Sequence, residues 1–231
     1  MSITIAHPQK RIEVISPPKK SAGGGSLLWG TSFKDNLNPF SAGVLDSTAG
    51  CVRTGLYALK VTSAGASTWE TTASTTVISN SPQMFNSKMA IEGYVRLQDI
   101  DNTALNHVQL SLVVSDGTTQ RSIGVRIVLG AAAANAKLQY VNSAGAYADV
   151  TSGGFTAAAN HYYRIKIVVD MISNEYVKLE FGGKIWSLSG IAISESATLD
   201  HNSNLIFEVD GIDATTKSAW LDDLSVTYNE S

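Results

Sequence analysis

One cysteine in 231 residues, Cys51, excludes any intrachain disulfide. Charge is also scarce: Asp, Glu, Lys and Arg make up 16% of the chain, against about a quarter in ordinary globular proteins. Without a broad Lys/Arg cluster there is no electrostatic footprint for nucleic acid. No apolar run reaches the roughly 20 residues that span a bilayer as a helix. A short apolar core behind a positive start, the mark of an export signal, is missing from MSITIAHPQKRIEVISPPKK. The expectation is a protein made in a cytoplasm, with neither membrane nor nucleic acid among its partners.

Helical periodicity is missing too. AAAANA at 131–136 is the one helix-like stretch, and it is too short to persist. What fills the chain is alternation. Met89, Ile91, Gly93, Val95 and Leu97 alternate with polar neighbours over 88–98. Val108, Leu110, Leu112 and Val114 do so over 106–115, and Ile123, Val125, Ile127 and Leu129 over 121–129. Tyr163, Ile165, Ile167 and Val169 continue the pattern over 162–170. Period two with one polar face predicts antiparallel strands over a core. Further strands are predicted over 27–33, 55–62, 67–72, 75–79, 136–141, 175–181, 184–188, 204–210 and 218–228. Gly182-Gly183 marks a two-residue hairpin between two of them. So many short strands predict an all-β, two-sheet antiparallel jelly-roll sandwich.

The net charge of −3 is unevenly spread. Lys10, Arg11, Lys19 and Lys20 outweigh Glu13 in the first twenty residues, and the rest of the chain is acidic. Three of the five prolines lie there as well, followed by SAGGGS at 21–26. Proline favours extended backbone and glycine supplies a joint. The division expected is an extended N-terminal arm and hinge over 1–26 and a sandwich domain over 27–231. Ile3, Ile5, Ile12 and Val14, with the four basic side chains, form a candidate partner-binding arm. Strand addition by such a segment pairs its backbone with a neighbour and seats alternate side chains in pockets.

Several stretches resemble concanavalin A-like and carbohydrate-binding-module sandwiches. SFKDNLNPF (32–40) and GLYALKVT (55–62) are similar to their opening strands. HYYRIKIVVD (161–170) with EYVKLEFGGK (175–184) resembles an inner strand and hairpin, and WLDDLSVTY (220–228) the closing strand. The resemblance covers 27–228 and implies a fold shared by lectins, hydrolases and virion proteins.

Within it, EVDGID (208–213) is similar to the Glu-x-Asp-x-x-Glu strand of family 16 glycoside hydrolases. Glu208 would be the nucleophile and Asp210 its neighbour. Asp213, one methylene short, stands where the acid/base Glu belongs, and the alternative reading turns Glu208 to solvent and starts a loop at DGID. Asp35, Asp222 and Asp223 are candidate ligands of a structural calcium, the one cofactor considered, since hard cations need several oxygens. The competing reading has the Asp222–Asp223 pair bonding to turn amides. Trp69, Tyr147 and Trp186 are candidate members of an aromatic sugar platform, whereas Trp29 and Trp220 read as core. The four histidines show no ligand spacing and read as scattered polar-face residues. Cys51 reads as a buried or half-buried thiol.

Two functions follow. One is a non-catalytic structural or assembly protein of a virion surface, such as a capsid decoration or cement protein. Its arm would clasp a protein lattice or neighbouring subunits, and a homo-oligomer is the expected state. The other is a carbohydrate-binding module or lectin-like domain with a glycan partner, extracellular or at a cell surface.

Overall fold

The computed structural model describes residues 26–33, 38–63, 70–79, 82–98, 105–211 and 216–230. The arm residues Ile3, Ile5, Lys10, Arg11, Ile12, Val14, Lys19 and Lys20, together with Asp35, Trp69 and Asp213, lie outside them. Fifteen strands are assigned: β1 (Ser26–Thr31), β2 (Val44–Asp46), β3 (Ala58–Thr62), β4 (Glu70–Ser79), β5 (Lys88–Leu97), β6 (Leu105–Ser115), β7 (Thr119–Val128), β8 (Lys137–Val141), β9 (Tyr147–Asp149), β10 (Tyr162–Asp170), β11 (Glu175–Phe181), β12 (Lys184–Ser187), β13 (Ser194–Ala197), β14 (Asn202–Gly211) and β15 (Ser218–Tyr228). AAAANA contributes a single 3-10 turn, Ala133–Asn135. Among the described residues no helix is long and apolar enough to cross a membrane.

The strands form two antiparallel sheets. The first runs β12-β11-β10-β5-β15-β3-β2 with β1 also on β15; the second runs β4-β14-β6-β7-β8-β9 with β13 also on β7. Alternation decides which side chains meet between them. Ile91, Val95, Ile165, Ile167, Leu221 and Val226 of the first sheet join Leu110, Leu112, Ile123, Val125, Phe207 and Val209 of the second in one buried cluster. The residues predicted to point inward from 88–98, 106–115, 121–129 and 162–170 are buried, Gly93 among them. The Gly182-Gly183 hairpin is also as expected. Both glycines have positive φ, 55° and 86°, which a type I′ turn requires.

Three short strands, β2, β9 and β13, lie where no strand was predicted, and the two strands expected over 67–72 and 75–79 are replaced by the continuous β4. Trp220 is buried, as expected of a core residue, in a second and smaller cluster. It packs on the far side of the first sheet with Cys51 and Ala58, under the loop 47–57.

That loop is fastened by one carboxylate. β15 pairs with β5 along one edge, while its other edge is shared, Ser218–Leu221 with β3 and Leu224–Tyr228 with β1. At the changeover the register against β5 shifts between Asp222 and Ser225. Asp223 there adopts φ 47°, a conformation that costs a non-glycine residue of order 1 kcal/mol. Asp222 has no exposed surface, and its carboxylate accepts the backbone N–H groups of Arg53 (2.9 Å), Thr54 (3.1 Å) and Asp223 (2.8 Å). Burial pushes the Asp222 carboxyl above the ordinary aspartate value, and those three donors oppose the shift. Asp223 in turn pairs with the Arg53 guanidinium and the Thr54 hydroxyl, and Arg53 lies 3.5 Å over the Tyr94 ring. Tyr162 closes the cover by donating to the Cys51 carbonyl at 2.6 Å.

The rest of that face is laced by its own ion pairs: Arg164 with Glu92 (2.7 Å) and Glu180 (2.9 Å), and Lys166 with Glu230 (2.8 Å). Replacing Asp222 should therefore strand buried donors rather than merely delete a contact. Asp222→Ala is expected to cost about 3 kcal/mol, since each buried group left unsatisfied costs about 1–3 kcal/mol. Denaturant unfolding of the variant, with the slope unchanged, measures it.

Candidate functional site

The loop 47–57 and a set of ion pairs occupy the first sheet's outer face; the polar alternation of the second sheet defines the other broad surface. Each of its strands that sends apolar residues inward sends polar ones outward, and pairing brings them into line. Thr72, Glu208, Gln109, Arg126, Gln139 and Asp149 face one another in sequence across six strands, β4 to β9. Beside this row runs a second, Asp210, His107, Val128 and Lys137. On the other flank lie Ile206, Ser111, Gly124, Val141 and Tyr147.

His107 joins the rows. Its Nε2 lies 2.9 Å from Glu208 Oε1 and its Nδ1 3.1 Å from Asp210 Oδ2. Asn106 donates to the same Asp210 oxygen at 2.8 Å. Glu208 is 9% exposed and His107 6%. The strand places Glu208 and Asp210 on one face, as the hydrolase-like pattern implied, and it runs on to Gly211. The readings that turned Glu208 to solvent and began a loop at DGID are thus corrected: pairing with β4 and β6 extends through Asp210 and lays the side chain in the sheet's polar face. His107 lies on the polar face, as read from the sequence, and there contacts both carboxyl groups.

Arg126 is the centre of the row. One Nη donates to Gln109 Oε1 at 3.0 Å, Glu208 Oε1 lies 3.8 Å away, and the guanidinium stacks 3.6 Å from the centroid of the Tyr147 ring. Its Nε is buried without a hydrogen-bond partner. Burial holds the Tyr147 phenol above its ordinary value, with Arg126 opposing and Glu208 reinforcing, so the ring keeps its hydroxyl proton at neutral pH. At the edge, Asp149 accepts from Gln139 (2.7 Å) and Lys137 (2.9 Å), which hold its carboxyl below the ordinary range. The face thus offers carboxylates as acceptors, amide and cationic donors, and an aromatic ring, the mixture with which proteins orient a polar ligand.

Of the proposed sugar platform, Tyr147 belongs to this face. Trp186 does not: it lies on β12, at the end of the other sheet, and donates to the Ser152 carbonyl at 3.3 Å. Trp69 immediately precedes Glu70, the β4 residue paired with Asp210. Of the calcium candidates, Asp222 and Asp223 turn to the amide, hydroxyl and guanidinium donors of Arg53 and Thr54. Among the described residues no group of three or more His, Cys, Asp or Glu side chains gathers as a metal site.

No family model matches the chain, and no curated protein matches it. Solved structures do. A protein described as the conserved carbohydrate esterase of Shiga toxin-encoding bacteriophage phi24B superposes with a TM-score of 0.60 at 17% identity, over 90% of this chain and 100% of that one. The binding domain of botulinum neurotoxin DC, solved with rat synaptotagmin II, gives 0.54 at 13% identity, over 89% of this chain and 49% of that one. A botulinum neurotoxin type C structure, from work on cell entry dependent upon two ganglioside molecules, gives 0.53 at 13%, over 89% and 48%. The chain spans about half the length of these toxin chains. The likeness is one of fold: an all-β sandwich of jelly-roll type.

Gly124 gives this face its shape. A Cβ there would stand 2.9 Å from the Ser111 Cβ, 3.1 Å from a Val141 methyl and 3.5 Å from the Tyr147 hydroxyl. Gly124→Ala should cost about 1–2 kcal/mol by overpacking against Ser111 and Val141. Gly154→Ala, whose Cβ would meet nothing nearer than 3.9 Å, should be silent in the same thermal melts.

Proposed function

We propose that this domain binds a glycan across the outer face of the second sheet and does not hydrolyse it. The observation that carries this reading is the in-register row from Thr72 to Asp149, with Tyr147 lying over Arg126 beside it. Its carboxyl, amide and guanidinium groups suit sugar hydroxyls, and Tyr147 offers a ring. The neighbours add support in kind, one a phage carbohydrate esterase and one a toxin whose cell entry depends on gangliosides. Against hydrolysis stands the second carboxyl group that cleavage of a glycosidic bond needs: at the acid/base position of the hydrolase-like pattern the chain has Asp213, one methylene shorter than the Glu expected there.

On a glycan array the wild type should bind a restricted set of glycans. Arg126→Ala and Tyr147→Ala should each weaken that binding at least about tenfold, as loss of a stacked or hydrogen-bonded contact of about 1.4 kcal/mol would. Equal binding by both variants, or none by the wild type, overturns the reading. Release of reducing ends from a bound glycan that disappears in Glu208→Gln would overturn the non-catalytic part.

The assembly role is a second proposal, which the basic, proline-marked arm and the phage origin of one neighbour favour. On this reading the sandwich displays its glycan-binding face from a virion surface while the arm clasps neighbouring subunits. Deleting residues 1–20 should leave the melting temperature of the sandwich unchanged and abolish attachment to the lattice or to other copies. Undiminished attachment would remove the proposal.

A further inference from the structure

The row across the second sheet ends at Asp149, on β9, the last strand of that sheet, and β12 is the last strand of the other. Between these two edges lies a cavity of about 120 Å³, lined by Tyr140, Asp149, Val150, Thr151, Trp186 and Leu188 among others. Trp186 is half-buried there, tethered by its ring nitrogen to the Ser152 carbonyl. Asp149 carries an exposed carboxylate that belongs both to the row and to the cavity wall. An aromatic wall, a carboxylate and a threonine make a sugar-like lining. The volume is well under the roughly 300 Å³ at which pockets for whole small ligands begin, so the cavity fits one ring rather than an oligosaccharide.

We infer that this cavity is a subsite for one sugar unit of the same glycan whose other units cross the second sheet. The inference rests on the glycan-binding reading and specifies its ligand: a chain, lying perpendicular to the strands, with its end over the β9 edge. From Glu208 to Asp149 the row crosses four strand spacings, about 19 Å at roughly 4.8 Å each. That spacing is close to the length of a pyranose unit, so the ligand has about four units on the sheet and one more in the cavity. Asp149 is the residue at which the chain turns the corner.

Titration calorimetry with manno-, xylo- and cello-oligosaccharide ladders, from disaccharide to octasaccharide, tests this. For the ladder that binds, wild-type affinity should climb about tenfold between the tetrasaccharide and the hexasaccharide and then level off. Trp186→Ala should flatten that climb while leaving disaccharide binding unchanged. Thr151→Trp, which fills the cavity from an exposed turn position and leaves the core alone, should do the same. Arg126→Ala should weaken every length. If the cavity variants keep the wild-type length dependence while Arg126→Ala weakens binding, the subsite is wrong and the face reading stands. If the wild type binds no ladder and no arrayed glycan, both fall together.

Discussion

A single carboxylate with no access to water fixes how this sandwich uses its two outer faces. Asp222 sits where β15 changes partners, and it gathers amide donors from a loop that lies 168 and 169 residues away in sequence. Burying a charge in this way is costly unless hydrogen bonds replace the lost water. The three N–H groups do so, and the loop 47–57 is thereby held against the first sheet. Under it lie Trp220, Arg96 and Tyr94. Arg96 stacks 4.4 Å from the Trp220 ring and donates to Asn160 at 2.6 Å. Part of one face is covered by a covalently distant piece of the same chain, and the other carries polar side chains in rows.

Two carboxyl groups of β14 anchor those rows. Glu208 and Asp210 point the same way because strand residues two apart must. His107 contacts both and ties β14 to β6 by side chains as well as backbone. The result is a braced polar surface on which Arg126, Tyr147 and Asp149 keep more exposure than Glu208, His107 and Gln109. Rigid support under adaptable contacts suits binding, because little side-chain entropy is left to lose.

Most of the fold was legible in the sequence, and most of the site was not. Runs such as Val108-x-Leu110-x-Leu112-x-Val114 declare a strand and its inward face, since period two is a local property. β9 and β13 were silent because Tyr147–Asp149 and Ser194–Ala197 are three and four residues long with no apolar alternation; pairing with β8 and β7 makes them strands. Trp220 was legible as a core residue, although aromatic bulk signals burial without saying on which side of a sheet. Glu208 and Asp210 could be seen as a pair, yet His107 stands 101 residues from Glu208. The row from Thr72 to Asp149 exists only once five strand registers are set. A signal was present, though. His107, Gln109 and Ser111 are consecutive outward residues of one strand, all polar, and all less exposed than an ordinary solvated face would leave them.

The place of β15 has a consequence for how the chain comes to be folded. It is the latest strand in sequence, yet it lies inside its sheet, between β5 on one side and β3 and β1 on the other. Every one of those neighbours is made earlier and must wait for it with an open edge. Closing such long loops is entropically slow, and unpaired edges invite pairing with other chains in the interval. Without Ser218–Tyr228 the pairings of the first sheet leave two separate groups, β12-β11-β10-β5 and β3-β2, and β1 with no partner strand. A chain that stops short of that segment keeps all its hairpins but has no first sheet to lay over the second.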